Sequence, residues 1–145
     1  VMQQCELCTE RHPREIWRCP QAYVIDASDD DVPGFIRVIS TRHVAEMTDL
    51  AEEDARVILR LVLAVEGAMR RIMQPDKVNL ASLGNMVPHV HWHVIARYRD
   101  DAFFPNPIWG PRLRASPGGD VLAQRRARFR ELIASLPEVC TGALQ

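Results

Sequence analysis

The chain has no surplus of either charge, no long apolar run and almost no lysine. Eighteen basic residues stand against 19 acidic ones, a formal net charge of −1. That balance argues against a domain built for non-specific nucleic-acid binding, which needs a basic surplus. No stretch approaches the roughly 20 consecutive apolar residues of a membrane-spanning helix, and the charged start does not read as a secretion signal. The expectation is a cytoplasmic protein that engages neither nucleic acid nor membrane. Lys77 is the only lysine. Arginine forks suit phosphate and carboxylate groups better than lysine does, but a GC-rich coding bias gives the same excess, so it decides nothing. Low-complexity tracts and internal repeats are missing too. At 145 residues, 47% hydrophobic and 26% charged, the composition fits one globular domain spanning residues 1–145. It excludes disordered and collagen-like architectures.

The cysteines are Cys5, Cys8, Cys19 and Cys140. A chain of this size builds its own core and carries no export pattern, so a disulfide framework is not expected, and Cys19 and Cys140 read as free thiols. Cys5-x-x-Cys8 is either a metal knuckle or a redox pair. The redox version opens a helix after a strand, and only four residues precede Cys5, so metal is favoured provided two further ligands exist.

Along the chain, residues 1–20 show little periodicity. Residues 22–27 and 35–40 read as strands joined by the turn-rich segment 28–34, a hairpin. Asp49 with Glu52 three residues on resembles a capping box. Leu50, Ile58, Leu59, Val62, Val65, Met69 and Ile72 then recur at helical spacing until Gln74-Pro75 ends the run. That stripe is a core face. Residues 78–83 and 87–97 read as two more strands around Gly84-Asn85. Residues 98–120, with four prolines, read as an irregular loop, and 125–136 as a last helix with Phe129, Leu132, Ile133 and Leu136 on its apolar side. The expected fold class is α+β: an antiparallel sheet with one long helix after the first hairpin and a C-terminal helix.

Three of the five histidines crowd into His89-Val90-His91-Trp92-His93. On a strand, strict alternation sends the imidazoles to one face, with Cα atoms of successive histidines roughly 6.5–7 Å apart, and sends Val90, Trp92 and Val94 to the core. The histidines would then lie on the open side of the sheet. Core packing has no use for three adjacent imidazoles, so the cluster points to chemistry. Two chemistries fit the spacing: zinc ligation by histidines at i and i+2, or nucleophilic attack by one imidazole while its neighbours orient it and stabilise phosphate oxygens.

The pattern His-φ-His-φ-His-φ-φ at residues 89–95 resembles the signature of the histidine triad (HIT) family of nucleotide hydrolases and transferases. Pro33-Gly34-Phe35, Arg42-His43 before the long helix, and Asn79, Gly84 and Asn85 before the triad extend the resemblance over residues 5–97. Residues 78–93 resemble bacterial diadenosine tetraphosphate hydrolase-like members in particular. The resemblance implies an enzyme that forms a homodimer and cleaves a nucleoside phosphoanhydride, phosphoramidate or dinucleoside polyphosphate. His91 would be the nucleophile and would form a nucleotidyl-histidine that water hydrolyses. His93 would sit beside the phosphate, and His89 would fix the neighbouring ring. Asn85 and the backbone at Gly84 would bond phosphate oxygens, Asn79 would orient the substrate, Asp26 would hold the ribose hydroxyls, and Trp109 would wall the nucleotide site or a dimer contact. Each has a plainer alternative: a turn residue tolerating positive φ for Asn85, a strand end for Asn79, a solvated turn carboxylate for Asp26, and buried packing for Trp109.

The resemblance also implies a ligand set of Cys5, Cys8, His43 and His89, a closed structural zinc site, with no cofactor required for the chemistry itself. Two departures stand out. Met86 occupies a position where many members carry a hydroxyl residue, and Ala96-Arg97 replaces the usual Pro-Arg. His12 has no assigned role. Two other readings remain: a zinc-dependent hydrolase with the triad as catalytic ligands, and a non-catalytic nucleotide-binding module.

Overall fold

The computed structural model describes residues 5–145; the first four residues of the N-terminal segment lie outside it. The element order is β1 (Glu15–Arg18), β2 (Ala22–Asp26), β3 (Phe35–Ser40), α1 (Glu52–Met73), β4 (Lys77–Ala81), β5 (His91–Arg97) and α2 (Gly119–Ala143). The strands form one antiparallel sheet in the order β1-β2-β3-β5-β4. This is the α+β architecture expected, with the triad strand inside the sheet rather than at its edge.

Alternation in the strands divides the sheet into two faces. Val24, Ile36, Val38 and Val94 point to one side, where they pack against Ile58, Leu61, Val65 and Met69 of α1 and Phe129, Leu132 and Leu136 of α2. Each such side chain, fully buried, contributes about 1.5–3 kcal/mol, so this face carries most of the stability. Gly34 enters β3 where a Cβ would lie 2.7 Å from the Ala96 Cβ and 2.9 Å from the Met73 Cε. Only glycine allows the hairpin that close to α1 and β5.

Four sequence expectations change. A short strand, β1, forms within the segment read as aperiodic; its four residues are all half-buried and carry no alternation signal. Asp49 does not start α1. It closes a capping box with Glu46 around a single 3-10 turn, Met47–Asp49, and α1 begins at Glu52 with Ala51 as an N-cap lacking any side-chain bond. Helix α2 begins earlier than expected and runs through Pro137 to Ala143. Leu132, Leu136 and Cys140, four residues apart and fully buried, keep the apolar stripe going, and their burial offsets the hydrogen bond that proline removes. Finally, β5 starts at His91, so His89 precedes the strand.

Candidate functional site

In β5, His91 pairs with Ile39 and His93 with Arg37 of β3, so Arg37 shares the histidine face. That face is covered. From one side comes the Cys5–Cys8 loop, whose Leu7 packs with Tyr23, Ile25 and Ile39, while the Tyr23 hydroxyl donates to the Leu7 carbonyl at 2.5 Å. From the other side comes the proline-rich loop, whose Trp109 ring lies 4.9 Å from that of His93. His91 and His93 are therefore only 9% and 4% exposed, not on an open sheet surface as expected.

Hydrogen bonds decide which imidazole nitrogen is free. A backbone carbonyl can only accept, so the contact of His91 Nδ1 with the His89 carbonyl at 2.5 Å puts the proton on Nδ1. The Nε2 lone pair is left free beside the cavity that His91 lines. His93 Nδ1 accepts from the Arg37 Nε at 3.3 Å, which leaves its Nε2 carrying the proton. Burial, then the charges of Arg37 and His91, holds the His93 pKa down at about 3, so its ring is a neutral donor. His89 is wired in the opposite sense to His91. Its Nε2 donates to the Ser40 carbonyl at 2.6 Å, and its Nδ1 lone pair faces away from the strand.

That Nδ1 lies 3.1 Å from His43 Nδ1 and 3.5 Å from both Cys5 Sγ and Cys8 Sγ, and Cys8 Sγ lies 3.2 Å from His43 Nδ1. The four donor atoms fall within 4.8 Å of one another. A tetrahedral zinc with bonds of about 2.0–2.3 Å sets its N and S ligands roughly 3.3–3.8 Å apart. Four of the six edges, at 3.1–3.5 Å, match that size within a few tenths of an ångström. Cys5, Cys8, His43 and His89 are thus a set that could hold a metal ion, with the Ser40 carbonyl fixing the His89 tautomer behind it. Cys19 and Cys140 stay free thiols.

Two cavities meet at His91. The larger, about 420 Å³, also takes in Leu7, Arg37, Asn85, Val87, His93 and Trp109. The smaller, about 300 Å³, includes Glu46, Thr48, Ser82 and Trp92. Leu83, Gly84 and His91 line both. Gly84 has φ +72°, so the left-handed position of this turn is Gly84 and not Asn85. Asn85 is exposed at the rim with Met86, which is 96% exposed.

Two of the expected substrate residues lie elsewhere. Asn79 shares the histidine face, but its Oδ1 accepts from Arg97 at 2.8 Å, and it lines a separate cavity under Pro107 and Trp109. Asp26 pairs with Ile36, in register one residue from the Arg37 pair and so on the other face. Its carboxylate accepts from Arg14 at 3.0 Å and from the Ser28 hydroxyl at 2.6 Å.

Sequence reasoning missed Arg37, whose signal was an arginine between apolar neighbours in Phe35-Ile36-Arg37-Val38-Ile39. It also missed Asp101. Arg97, 2% exposed, donates through Nε and NH2 to the Asp101 carboxylate at 2.9 and 3.1 Å, and Asp101 accepts from the amides of Tyr98, Phe103 and Phe104. Burial alone would raise the Asp101 pKa, but Arg97 and the amides outweigh it and hold it below the usual range. This network ties down the loop that carries Trp109.

The HIT domain model matches residues 10–100, so the chain belongs to the HIT family. Among solved structures, a histidine triad protein from Bradyrhizobium japonicum is 28% identical, with a TM-score of 0.66 over 86% of this chain and 97% of that one. A histidine triad protein from Marinobacter aquaeolei is 27% identical, with a TM-score of 0.65 over 84% and 89%. A zinc-bound histidine triad family protein from Mycobacterium smegmatis, 20% identical, shares the fold with a TM-score of 0.59 over 92% and 90%. No curated protein matches the chain significantly.

Proposed function

We propose that the chain is a nucleotidyl hydrolase or transferase that works through a covalent nucleotidyl-histidine at His91. The observation that carries this reading is the His91–His89 carbonyl bond, which leaves Nε2 free in a cavity of nucleotide size. Nε2 attacks the α-phosphorus, the bond from phosphorus to the leaving group breaks, and the leaving group departs with the electron pair and takes up a proton. Water then cleaves the P–N bond, which releases a nucleoside monophosphate and returns His91 to its neutral state. His93, a neutral Nε2–H donor, bonds a phosphate oxygen during both steps. The two cavities leave room on either side of His91 for the two halves of a phosphoanhydride, a phosphoramidate or a dinucleoside polyphosphate such as diadenosine tetraphosphate.

Zinc at Cys5, Cys8, His43 and His89 would be structural, since four protein donors leave no position for water. It would hold the His89 carbonyl that orients His91. A catalytic metal shared by His91 and His93 is disfavoured because His93 Nδ1 accepts from the Arg37 Nε, which leaves its Nε2 protonated and without a lone pair for a metal. β4 is an edge strand carrying the exposed Leu80, and Leu59 and Leu63 of α1 are exposed as well. We assign these surfaces to a homodimer, checked by light scattering.

The central test is to trap the intermediate. Adenosine phosphoramidate or a dinucleoside polyphosphate, quenched in acid-free denaturant, should leave a nucleotidyl adduct on the peptide containing His91, and turnover should survive EDTA. If wild type binds these compounds without turning them over, the non-catalytic module gains. If EDTA abolishes turnover while the fold persists, the catalytic-metal reading gains.

A further inference from the structure

We propose that the larger cavity selects substrates with two anionic groups, one presented to His91 and a second held by the terminal nitrogens of Arg37. The inference rests on the nucleotide reading above and adds the substrate class to it.

Among the described residues, Arg37 is the only arginine or lysine lining that cavity. The two histidines beside it add no fixed positive charge, since His93 is neutral and His91 must be neutral to attack. Among the described residues, the only side-chain hydrogen bond of Arg37 runs from Nε to His93 Nδ1, and both terminal nitrogens are left without a carboxylate. Arg37 is half-buried, its guanidinium carbon 5.1 Å from the centre of the Phe35 ring, and burial pushes its pKa down. Glu6, the acid whose charge acts on it, is exposed at the cavity mouth. Half-buried, fixed at Nε and without a protein partner at its terminal nitrogens, the guanidinium is placed to take an anion that the ligand supplies.

Position separates this anion from the one under attack. Arg37 is in register with His93, two pairs further along the sheet than Ile39 and His91 and so on the same face, and the Nε contact pins the guanidinium beside His93. The two nitrogens of an imidazole direct their bonds nearly oppositely in the ring plane. A phosphate oxygen held by His93 Nε2 and a group held by Arg37 therefore lie on different sides of the His93 ring. A single phosphate on His91 leaves the fork unused, whereas a second phosphate or carboxylate fills it in the bidentate geometry that arginine favours.

The test is calorimetric binding of three ligands: AMP, the methylene analogue of ADP, and adenosine 3′,5′-bisphosphate. At least one of the two ligands with a second phosphate or phosphonate group should bind roughly ten-fold or more tightly than AMP; which one places the second anion on the leaving-group side or the sugar side. Arg37→Gln should bring the three to within about two-fold of one another by weakening the two-phosphate ligands more than AMP, and Arg37→Lys should restore part of the preference. Equal affinities in the wild type overturn the inference without needing any variant. So does an Arg37→Gln that weakens AMP as much as the others, because Arg37 would then serve only the attacked phosphate or the His93 ring. Failure of all three to bind overturns the nucleotide reading together with this one.

Discussion

His89 and His91 stand two residues apart, and their imidazoles are wired in opposite senses. His89 donates from Nε2 to the Ser40 carbonyl and offers Nδ1 to two cysteines and His43. His91 donates from Nδ1 to the His89 carbonyl and offers Nε2 to the cavity. In each case a backbone acceptor chooses the free nitrogen, and the free nitrogen chooses the role. The two are also linked in series, since the residue that faces Cys5, Cys8 and His43 is the one whose carbonyl orients His91.

The largest expected effect separates these two roles. His91→Ala should lower turnover by roughly 10³–10⁴-fold, while zinc content stays near one per chain and the melting temperature falls less than in His89→Ala. His89→Ala should lose the zinc, lower the melting temperature and reduce turnover as well, because the orienting carbonyl is no longer anchored. Metal analysis and thermal melts on the two variants decide it. A His89→Ala protein that keeps full zinc would break the comparison.

A smaller effect should fall on the cavity corner alone. Asp101→Asn leaves the buried Arg97 guanidinium short of its counter-charge, and breaking such a pair costs about 3–5 kcal/mol. The loop that places Trp109 against His93 loosens with it, so KM should rise more than kcat falls. Zinc content should not change, since the metal cluster receives nothing from that loop. Denaturant unfolding, steady-state kinetics and metal analysis together check this, and loss of zinc would show that the two corners are not separately built.

The legible parts of this molecule were those written in local periodicity. The α1 stripe, the 22–26 and 35–40 strands and the alternation at His91 and His93 all reflect residues that meet the same core face at fixed spacing. The ligand set Cys5, Cys8, His43 and His89 spans 85 positions and came from the family resemblance; spacing alone could not supply it. What stayed hidden depends on tertiary placement. Strand β1 is half-buried throughout and so carries no alternation. Asp101 gains its meaning only when the loop folds back on Arg97. The covering of the histidine face comes from Leu7 and Trp109, more than 100 positions apart. Asp26 was placed at the site by resemblance, yet its register with Ile36 turns it to the other face.

The smallest expected effect is a slope, and it tests whether His93 is the neutral donor that sets it apart from an ordinary histidine. Arg37, His91, Phe35 and Trp109 face its ring, and no acid hydrogen-bonds to it among the described residues. In the unfolded chain His93 takes up a proton near pH 6.5; in the folded protein it does so only near pH 3. Between those values the unfolded state binds the extra proton, so stability falls as pH falls, by up to about 1.4 kcal/mol per pH unit, and above pH 6.5 the term vanishes. His93→Asn keeps an acceptor for the Arg37 Nε but cannot titrate. Relative to wild type, its stability should therefore improve steadily from pH 6.5 down to pH 4.5, while the difference between the two stays flat from pH 7 to pH 8.5. Denaturant midpoints for both proteins across that range give the difference directly. Parallel curves would mean that His93 accepts its proton normally in the folded state. The ring would then be charged in acid, and the Arg37 contact as drawn could not persist there.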